Sequence, residues 1–301
     1  MFYEHPQFKS ETPNPSKTES ALATLTPSES KRLIARAVAV LPEVKMALHN
    51  GLVVVGWGTT NSFVAEEIQG HSIEDKSSFF SGVVAEGELN ANHPDTKIFP
   101  MVFQHGKLSE IHQRAALQGF KPGDIFIKGA NALDIHGDIA ILLAAENGGS
   151  ASDGWLATCI RGGTFICPVG LEKLVLSVSN VANKCGFFRF KHSMGLPVSM
   201  ITFSTAKVVT EIQAIKVLSG ASASHVASGG IGGSEGGVTL VLEAEHDVLG
   251  KAFEIVKSVK GEPPMSPPRR YAAPQGASVG YDPEILRSAV QQAEPNPKPT
   301  P

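Results

Sequence analysis

The chain has 301 residues and a formal net charge of −3. Its basic residues are scattered, and the mildly acidic balance argues against a general nucleic-acid-binding role. No apolar run approaches the roughly 20 residues that span a bilayer, and the polar N-terminus lacks the apolar core of a signal peptide.

Composition divides the chain into four parts. Residues 1–25 are polar and contain three prolines, and residues 262–301 hold ten of the twenty prolines. Both ends are predicted to be disordered tails, because they bury too little apolar surface to offset the entropy of ordering. Residues 26–197 are predicted to form an α/β anion-binding domain, and residues 198–261 a small ferredoxin-like α+β unit.

The first predicted elements follow one another closely. Thr26-Pro27-Ser28-Glu29 is a capping box, and the 3.6-residue period after it predicts a helix that ends near Asn50-Gly51. A strand is expected at 52–55 and a helix from the next turn to about residue 68. Further apolar runs predict strands at 82–85, 98–103, 124–128, 139–144 and 164–167, with a helix at 108–117. This alternation predicts a mainly parallel sheet with helices on both faces.

The pattern changes near residue 198. The predicted elements are a strand at 198–203, a helix at 208–218, strands at 222–226 and 238–242, and a helix at 247–260. This order is typical of a ferredoxin-like unit. The glycine-rich segment 228–237 is interpreted as a hairpin tip, with a mobile lid over a ligand as the alternative.

The most informative segment is the turn between the predicted strand 52–55 and the following helix. Its glycines and polar residues are Gly56, Gly58, Thr59, Thr60 and Asn61. Glycines let a ligand approach the backbone, and a helix N-terminus presents unpaired N–H groups and a partial positive charge. The turn lacks the third glycine of a dinucleotide fingerprint and the Gly-Lys-Ser/Thr of a Walker loop. It predicts a phosphate or carboxylate site, with a threonine-capped tight turn as the alternative.

A second turn, residues 129–134, follows the predicted strand 124–128. Ligands of open α/β sheets bind at this carboxyl edge. Asp134 is a candidate general base, Asn131 a candidate for orienting a hydroxyl or carbonyl, and Gly129 a candidate binding position. The alternative is that Asn131 and Asp134 only satisfy the backbone of the turn.

The two turns and the α+β unit, in this order, resemble the superfamily of ribose-phosphate isomerase, glucosamine-phosphate deaminase and the coenzyme A transferases. In the isomerases a strand leads to a Gly-x-Gly-Ser/Thr-Thr phosphate turn, and a later strand leads to Gly-Ala-Asp-Glu-x-Asp. The matching segments here are Gly56–Thr60 and Gly129–Asp134. The resemblance implies the fold described above, a phosphate turn, and Asp134 as an acid of the proton transfer.

The same superfamily suggests a second kind of chemistry. Asn131 and Ala132 stand where the isomerases have acids, and segment 143–149 lacks their lysine. Coenzyme A transferases use a glutamate nucleophile, often within Ser-Glu-Asn-Gly. Glu146 matches that string and Glu86 matches its order along the chain, so both are candidates for a covalent role.

Arg161 is a candidate contact for an anionic substrate, with a surface ion pair as the alternative. Cys159, Cys167 and Cys185 have no Cys-x-x-Cys spacing, which favours a reduced, cytoplasmic protein. Cys159 or Cys167 as a nucleophile is left open beside their more usual fate as small buried apolar residues. No motif predicts a metal or a cofactor.

We expect an enzyme acting on a small phosphorylated or carboxylated metabolite. Proton-transfer isomerisation of a sugar-phosphate-like substrate is the leading reaction. The alternatives are a coenzyme A or acyl transferase with a glutamate nucleophile, and a non-catalytic metabolite-binding or sensor protein. The expected partner is a small anionic metabolite, with no nucleic acid and no membrane, and a homo-oligomer is left open.

Overall fold

The computed structural model describes residues 1–6, 16–93, 98–143 and 148–267, which form a mixed α/β architecture. The strands are β1 (Glu19–Leu25), β2 (Leu52–Val55), β3 (Gly82–Ala85), β4 (Glu88–Ala91), β5 (Met101–Gln104), β6 (Lys107–Ser109), β7 (Ile125–Ile127), β8 (Ala132–Leu133), β9 (Ile139–Leu143), β10 (Thr164–Pro168), β11 (Ser199–Phe203), β12 (Lys207–Val209), β13 (Ser222–Gly229) and β14 (Gly237–Ala244). The helices are α1 (Pro27–Val40), α2 (Pro42–Asn50), α3 (Thr59–Gln69), α4 (Gln113–Gln118), α5 (Gly149–Cys159), α6 (Val178–Ala182), α7 (Glu211–Ser219) and α8 (His246–Lys257). Short 3-10 turns occur at Lys76–Ser78 and Leu171–Lys173.

The largest sheet has six strands in the order β12-β10-β7-β2-β5-β6. The strands from β12 to β2 pair in parallel, and β5 and β6 add antiparallel pairings at one edge. All of β7 and most of β2 are buried, as expected of apolar strands covered on both faces. The sheet is therefore mixed, and the carboxyl ends of β2, β7 and β10 lie side by side.

A hairpin explains the antiparallel edge. The sequence predicts one helix over 108–117, whereas the chain forms β6 and then α4. His105 and Gly106 have φ values of 48° and 75° and make the two-residue turn between β5 and β6. A turn with two left-handed residues matches the twist of antiparallel strands, so β6 folds back onto β5.

Helix α1 anchors one helical layer. The predicted capping box is confirmed, because Thr26 Oγ1 accepts the Glu29 N–H at 3.3 Å and Glu29 Oε2 accepts the Thr26 N–H at 2.9 Å. Leu33, Ile34 and Val38 are fully buried on its inner face. Helix α1 packs against α3 and α7, while α4 and α5 pack against each other.

The N-terminal segment differs from the predicted disordered tail of residues 1–25. Strand β1 pairs with β14 along its whole length, and Leu25 is fully buried. Tyr3 is also buried and donates to Glu43 at 2.9 Å. The segment is polar because β1 is an edge strand with one exposed face, so low hydrophobicity did not mean disorder. Residues 7–15 lie outside the described residues.

The predicted α+β unit, residues 198–261, contains most of the expected elements but pairs its strands differently. Strand β11 pairs with β9 and not with β13 or β14. The place of a third strand beside β14 is taken by β1, which gives the antiparallel order β1-β14-β13. Strands that are close in the sequence usually pair with each other, whereas β14 pairs with β1, which lies about 200 residues earlier in the chain. Residues 230–236 connect β13 to β14, as the hairpin-tip interpretation expects.

The predicted C-terminal tail begins in contact with the fold. Glu262 binds Arg32 through two hydrogen bonds of 2.8 and 3.1 Å. Residues 268–301 lie outside the described residues.

Gly154 in α5 gives a test of this packing. A Cβ atom there would overlap the ring of the fully buried Phe126. We expect Gly154→Ala to lower the free energy of unfolding by about 1–3 kcal/mol, because the ring must leave its position. Gly250→Ala in α8 is the matched control, since its Cβ meets open space and alanine raises helix propensity by roughly 0.5–1 kcal/mol. Thermal melts in which both variants change stability in the same direction would contradict this packing.

Candidate functional site

A cavity of about 1010 Å³ opens at the carboxyl ends of β2, β7 and β10. Its lining comes from the segments that follow these strands, from the β3–β4 hairpin and from the turn between β13 and β14. The volume lies at the upper end of the range on the order of 300–1000 Å³ that is usual for small-molecule sites. The cavity is therefore the candidate site.

The turn after β2 is held firmly by its own hydrogen bonds. The Gly56 N–H donates to Ile127 O at 2.9 Å, and the Gly58 N–H donates to Phe79 O at 3.0 Å. Asn61 is fully buried, and its Nδ2 donates to Gly56 O at 2.7 Å and to Ile127 O at 3.2 Å. Gly56 and Asn61 thus fasten the turn to β7 and lie outside the cavity lining, and their predicted contact with a ligand stays a prediction.

The start of α3 is the part of this turn that faces the cavity. Gly58, Thr59 and Thr60 belong to the cavity lining. No side chain among the described residues caps the helix. The N–H groups of its first turn have no intrahelical partner, so they are available to an anion.

Lys128 adds a positive charge to the same cavity. It follows β7 directly, is only 9% exposed, and its Nζ donates to Trp57 O at 3.1 Å. Within the described ranges no carboxylate acts on its ammonium group. Burial lowers the pKa of Lys128 to about 8, because the low-dielectric surroundings disfavour its charged form.

Lys173 is a second cavity lysine, carried by the 3-10 turn that follows β10. Its side chain makes no hydrogen bond or ion pair with the part of the chain that the structure describes. Burial lowers the pKa of Lys173, although the nearby Glu172 and Glu211 carboxylates oppose that shift. Glu172 itself is paired with Lys31 at 3.2 Å.

A buried acid fixes the turn that carries Lys173. Glu211 begins α7, is fully buried, and its Oε2 accepts the Leu171 N–H at 2.9 Å. Burial raises the pKa of Glu211. Cys167, in β10, is fully buried, and burial raises its pKa to about 12 although Lys173 and Lys128 oppose the shift, so it remains a neutral thiol and not a nucleophile.

Gly129 and Asn131 lie in the cavity lining, at the carboxyl edge where the sequence predicts them. A Cβ on Gly129 would come within 3.2 Å of Pro168 O, so the position needs a small residue. Asn131 Oδ1 accepts the Leu142 N–H at 3.0 Å. Asn131 thus ties its turn to β9 while remaining at the cavity wall.

Asp134 does not belong to the cavity lining, so its predicted role as general base gains no support from its position. It is 2% exposed, and its carboxylate accepts N–H groups from His136, Asp138 and Val178 at 3.0–3.2 Å. Burial opposes ionisation, but these bonds outweigh it and hold the pKa of Asp134 below its usual range. A carboxylate stabilised in this way is a poor base, and the turn-satisfying alternative describes it better.

The candidate nucleophile Glu86 occupies an exposed hairpin turn at the cavity rim. Glu86 and Gly87, with φ values of 52° and 79°, join β3 to β4. A covalent carboxylate needs a fixed, water-poor pocket, and an exposed turn does not supply one. The other candidate, Glu146, lies outside the described residues.

Arg161 lies at the wrong end of the sheet for its predicted role. It precedes Thr164, which pairs with Ile125 at the start of β7, whereas Lys128 follows the end of that strand. Arg161 is exposed and does not line the cavity. Because Arg161 precedes its strand, it lies at the amino edge of the parallel strands, opposite the edge that carries the cavity.

The lysines are the site residues that sequence reasoning missed. One signal was present, since Lys128 directly follows a fully apolar strand and parallel strands carry ligand sites at that end. For Lys173 the same signal was weaker, because four residues (169–172) separate it from the end of β10 at Pro168.

Comparisons of the chain with protein-family models, curated protein sequences and solved structures found no match. Across the described residues, no three His, Cys, Asp or Glu side chains are grouped so that they could hold a metal ion. None of the helices in those ranges is long and apolar enough to cross a bilayer. The function must therefore be argued from the chemistry of the cavity.

Proposed function

We propose that the protein binds a small phosphorylated or carboxylated metabolite in this cavity. The observation that carries the proposal is the buried Lys128 ammonium group, which no carboxylate of the described residues neutralises. An unpaired buried charge is costly, and an anionic ligand would remove that cost. The uncapped first turn of α3 and Lys173 line the same cavity, so three sources of positive potential converge there.

The resemblance to the sugar-phosphate isomerase and coenzyme A transferase superfamily is part of this proposal. The strand–turn–helix at Gly58–Thr60 and the parallel strands β12-β10-β7-β2 support it. The finer fold assignment stays a proposal: the parallel strands support a mainly parallel domain, whereas the order β1-β14-β13 departs from the predicted ferredoxin-like unit. Proton transfer by Asp134 is not retained, because that carboxylate is committed to the backbone.

Binding without turnover is the second candidate. It is favoured by the position of Asp134 outside the cavity lining and of Glu86 on an exposed turn, since neither position supports the predicted catalytic role. Incubating the protein with ribose 5-phosphate and following the aldose–ketose ratio by NMR separates the two. Isomerisation that disappears in Lys128→Met supports an enzyme, and saturable binding without conversion supports a sensor.

Titration calorimetry with inorganic phosphate, ribose 5-phosphate and pyruvate tests the anion site. We expect Lys128→Met and Lys173→Met each to weaken binding about 10–100-fold, the effect of losing one charge-assisted hydrogen bond. Lys251→Met, an exposed lysine of α8, is the control and should bind like the wild type. Heats that are absent in the wild type, or equal in all four proteins, would refute the proposed site.

A further inference from the structure

We propose that Lys128 is a nucleophile that forms a Schiff base with the carbonyl carbon of a small keto or aldehyde anion. The inference rests on the proposed function, because the anion site would hold the substrate. Nothing in that function requires covalent chemistry, so the two are separable by experiment.

The surroundings of Lys128 suit an amine nucleophile better than a structural cation. A structural lysine at this depth would be expected to carry a carboxylate partner, and none of the described residues supplies one. The single hydrogen bond, from Nζ to Trp57 O, fixes the direction of the side chain and leaves the other positions on the nitrogen open. Burial also lowers its pKa to about 8, so an appreciable fraction is the neutral amine near neutral pH.

Different residues of the cavity would contact the anionic group and the carbonyl of the substrate. Lys173 and the first turn of α3 would hold the anionic group, which leaves Lys128 for the carbonyl. Lys128 and Lys173 both lie close enough to the buried Cys167 to influence its pKa, and both line the same cavity. A compact substrate that carries an anionic group beside a carbonyl therefore suits this part of the cavity.

The reaction balances without an oxidant, a reductant or a cofactor. The lone pair of the neutral Nζ attacks the carbonyl carbon, a C–N bond forms as the C=O π bond opens, and a proton passes from that nitrogen to the oxygen to give a carbinolamine. The hydroxyl group then takes a proton from solvent, the C–O bond breaks and water leaves, which gives a protonated imine. Its positive nitrogen withdraws electrons from the adjacent carbon and eases loss of a proton or of carbon dioxide from it.

Reductive trapping on the full-length protein tests the inference. The wild type is incubated with pyruvate and sodium cyanoborohydride, and the modified lysine is located by peptide mass spectrometry. We expect Lys128 to be modified at least about tenfold faster than any other lysine, because its lowered pKa supplies more neutral amine. Lys251→Met should give the same adduct, and Lys173→Met should need more pyruvate to form it.

Lys128→Arg separates the covalent step from anion binding. It keeps the positive charge, so pyruvate should still bind by calorimetry while the adduct disappears. Modification spread evenly over surface lysines, or no adduct on a wild type that binds pyruvate, would overturn the Schiff-base inference and leave the anion site standing. Absence of binding to pyruvate, phosphate and ribose 5-phosphate alike would remove the proposed function and the inference together.

Discussion

Replacement of Lys128 by methionine is expected to stabilise the ligand-free protein while it weakens anion binding. At pH 7 the free energy of unfolding should rise by about 2 kcal/mol, somewhat less than the full value of a pKa shift from 10.5 to about 8. Methionine fills nearly the same volume and carries no charge that burial penalises. Chemical denaturation of wild type and variant, without added anions, measures the difference.

The size of this effect depends on pH. Since the pKa of Lys128 is lower in the folded protein, the unfolded chain binds the proton more tightly between about pH 8 and 10.5. The wild type therefore carries the whole penalty below pH 8 and loses it as the pH rises towards 10.5. The advantage of Lys128→Met should shrink over that interval.

The exposed Lys251 again supplies the control. Lys251→Met should leave stability unchanged at both ends of the pH range, since an exposed ammonium group pays little for its charge. If Lys128→Met unfolds more easily than the wild type at pH 7, Lys128 is a structural residue and its burial is compensated by the fold.

Local signals in the sequence predicted local structure well. The capping box of α1, the strand before Gly56, the helix from Thr59 and the hairpin between β13 and β14 all depend on neighbouring residues. Capping, periodicity and glycine turns act over a few residues, so a single sequence contains them.

The composition of the site could not be predicted in the same way. Lys128 and Gly58 meet because β7 lies beside β2, and Lys173 joins them because β10 lies beside β7. Strand order is decided by packing over the whole domain, which a single sequence does not show. The hydrogen bonds of Asp134 were hidden for a related reason, since one of its partners is the N–H of Val178, far along the chain.

Burial of the cavity lysines lowers the stability of the ligand-free protein, and the proposed anion site gives that burial a role. Two of the three lysines that line the cavity, Lys128 and Lys173, make no ion pair with the described residues, and selection for stability alone would not favour them. Burial of a charge near an uncapped helix N-terminus is the usual form of a preorganised anion site, where the ligand completes the electrostatics. The stability gained in Lys128→Met and the affinity lost in it are thus two measurements of the same feature.

Substitution of Asp134 should lower the free energy of unfolding, whereas substitution of Lys128 by methionine should raise it. We expect Asp134→Ala to lower the free energy of unfolding by about 3 kcal/mol or more, because it leaves the N–H groups of His136, Asp138 and Val178 without their acceptor. Asp134→Asn should lose less, since its amide oxygen still serves part of the set. Thermal melts of the two variants against the wild type measure these losses.

The pH dependence of stability and the phosphate affinity together test whether Asp134 is a structural residue. Its pKa is lowered in the folded protein, so its stabilisation is fully present above its ordinary value of 3.8 and is lost as the pH falls through the folded value. The gap between wild type and Asp134→Asn should therefore close only in strong acid. Asp138→Asn, in the same loop, is the control because its side chain makes none of these three bonds.

Phosphate affinity of folded Asp134→Asn should stay within about twofold of the wild type, well under the tenfold that 1.4 kcal/mol represents. Normal stability combined with lost binding or turnover would instead return Asp134 to the chemistry of the site.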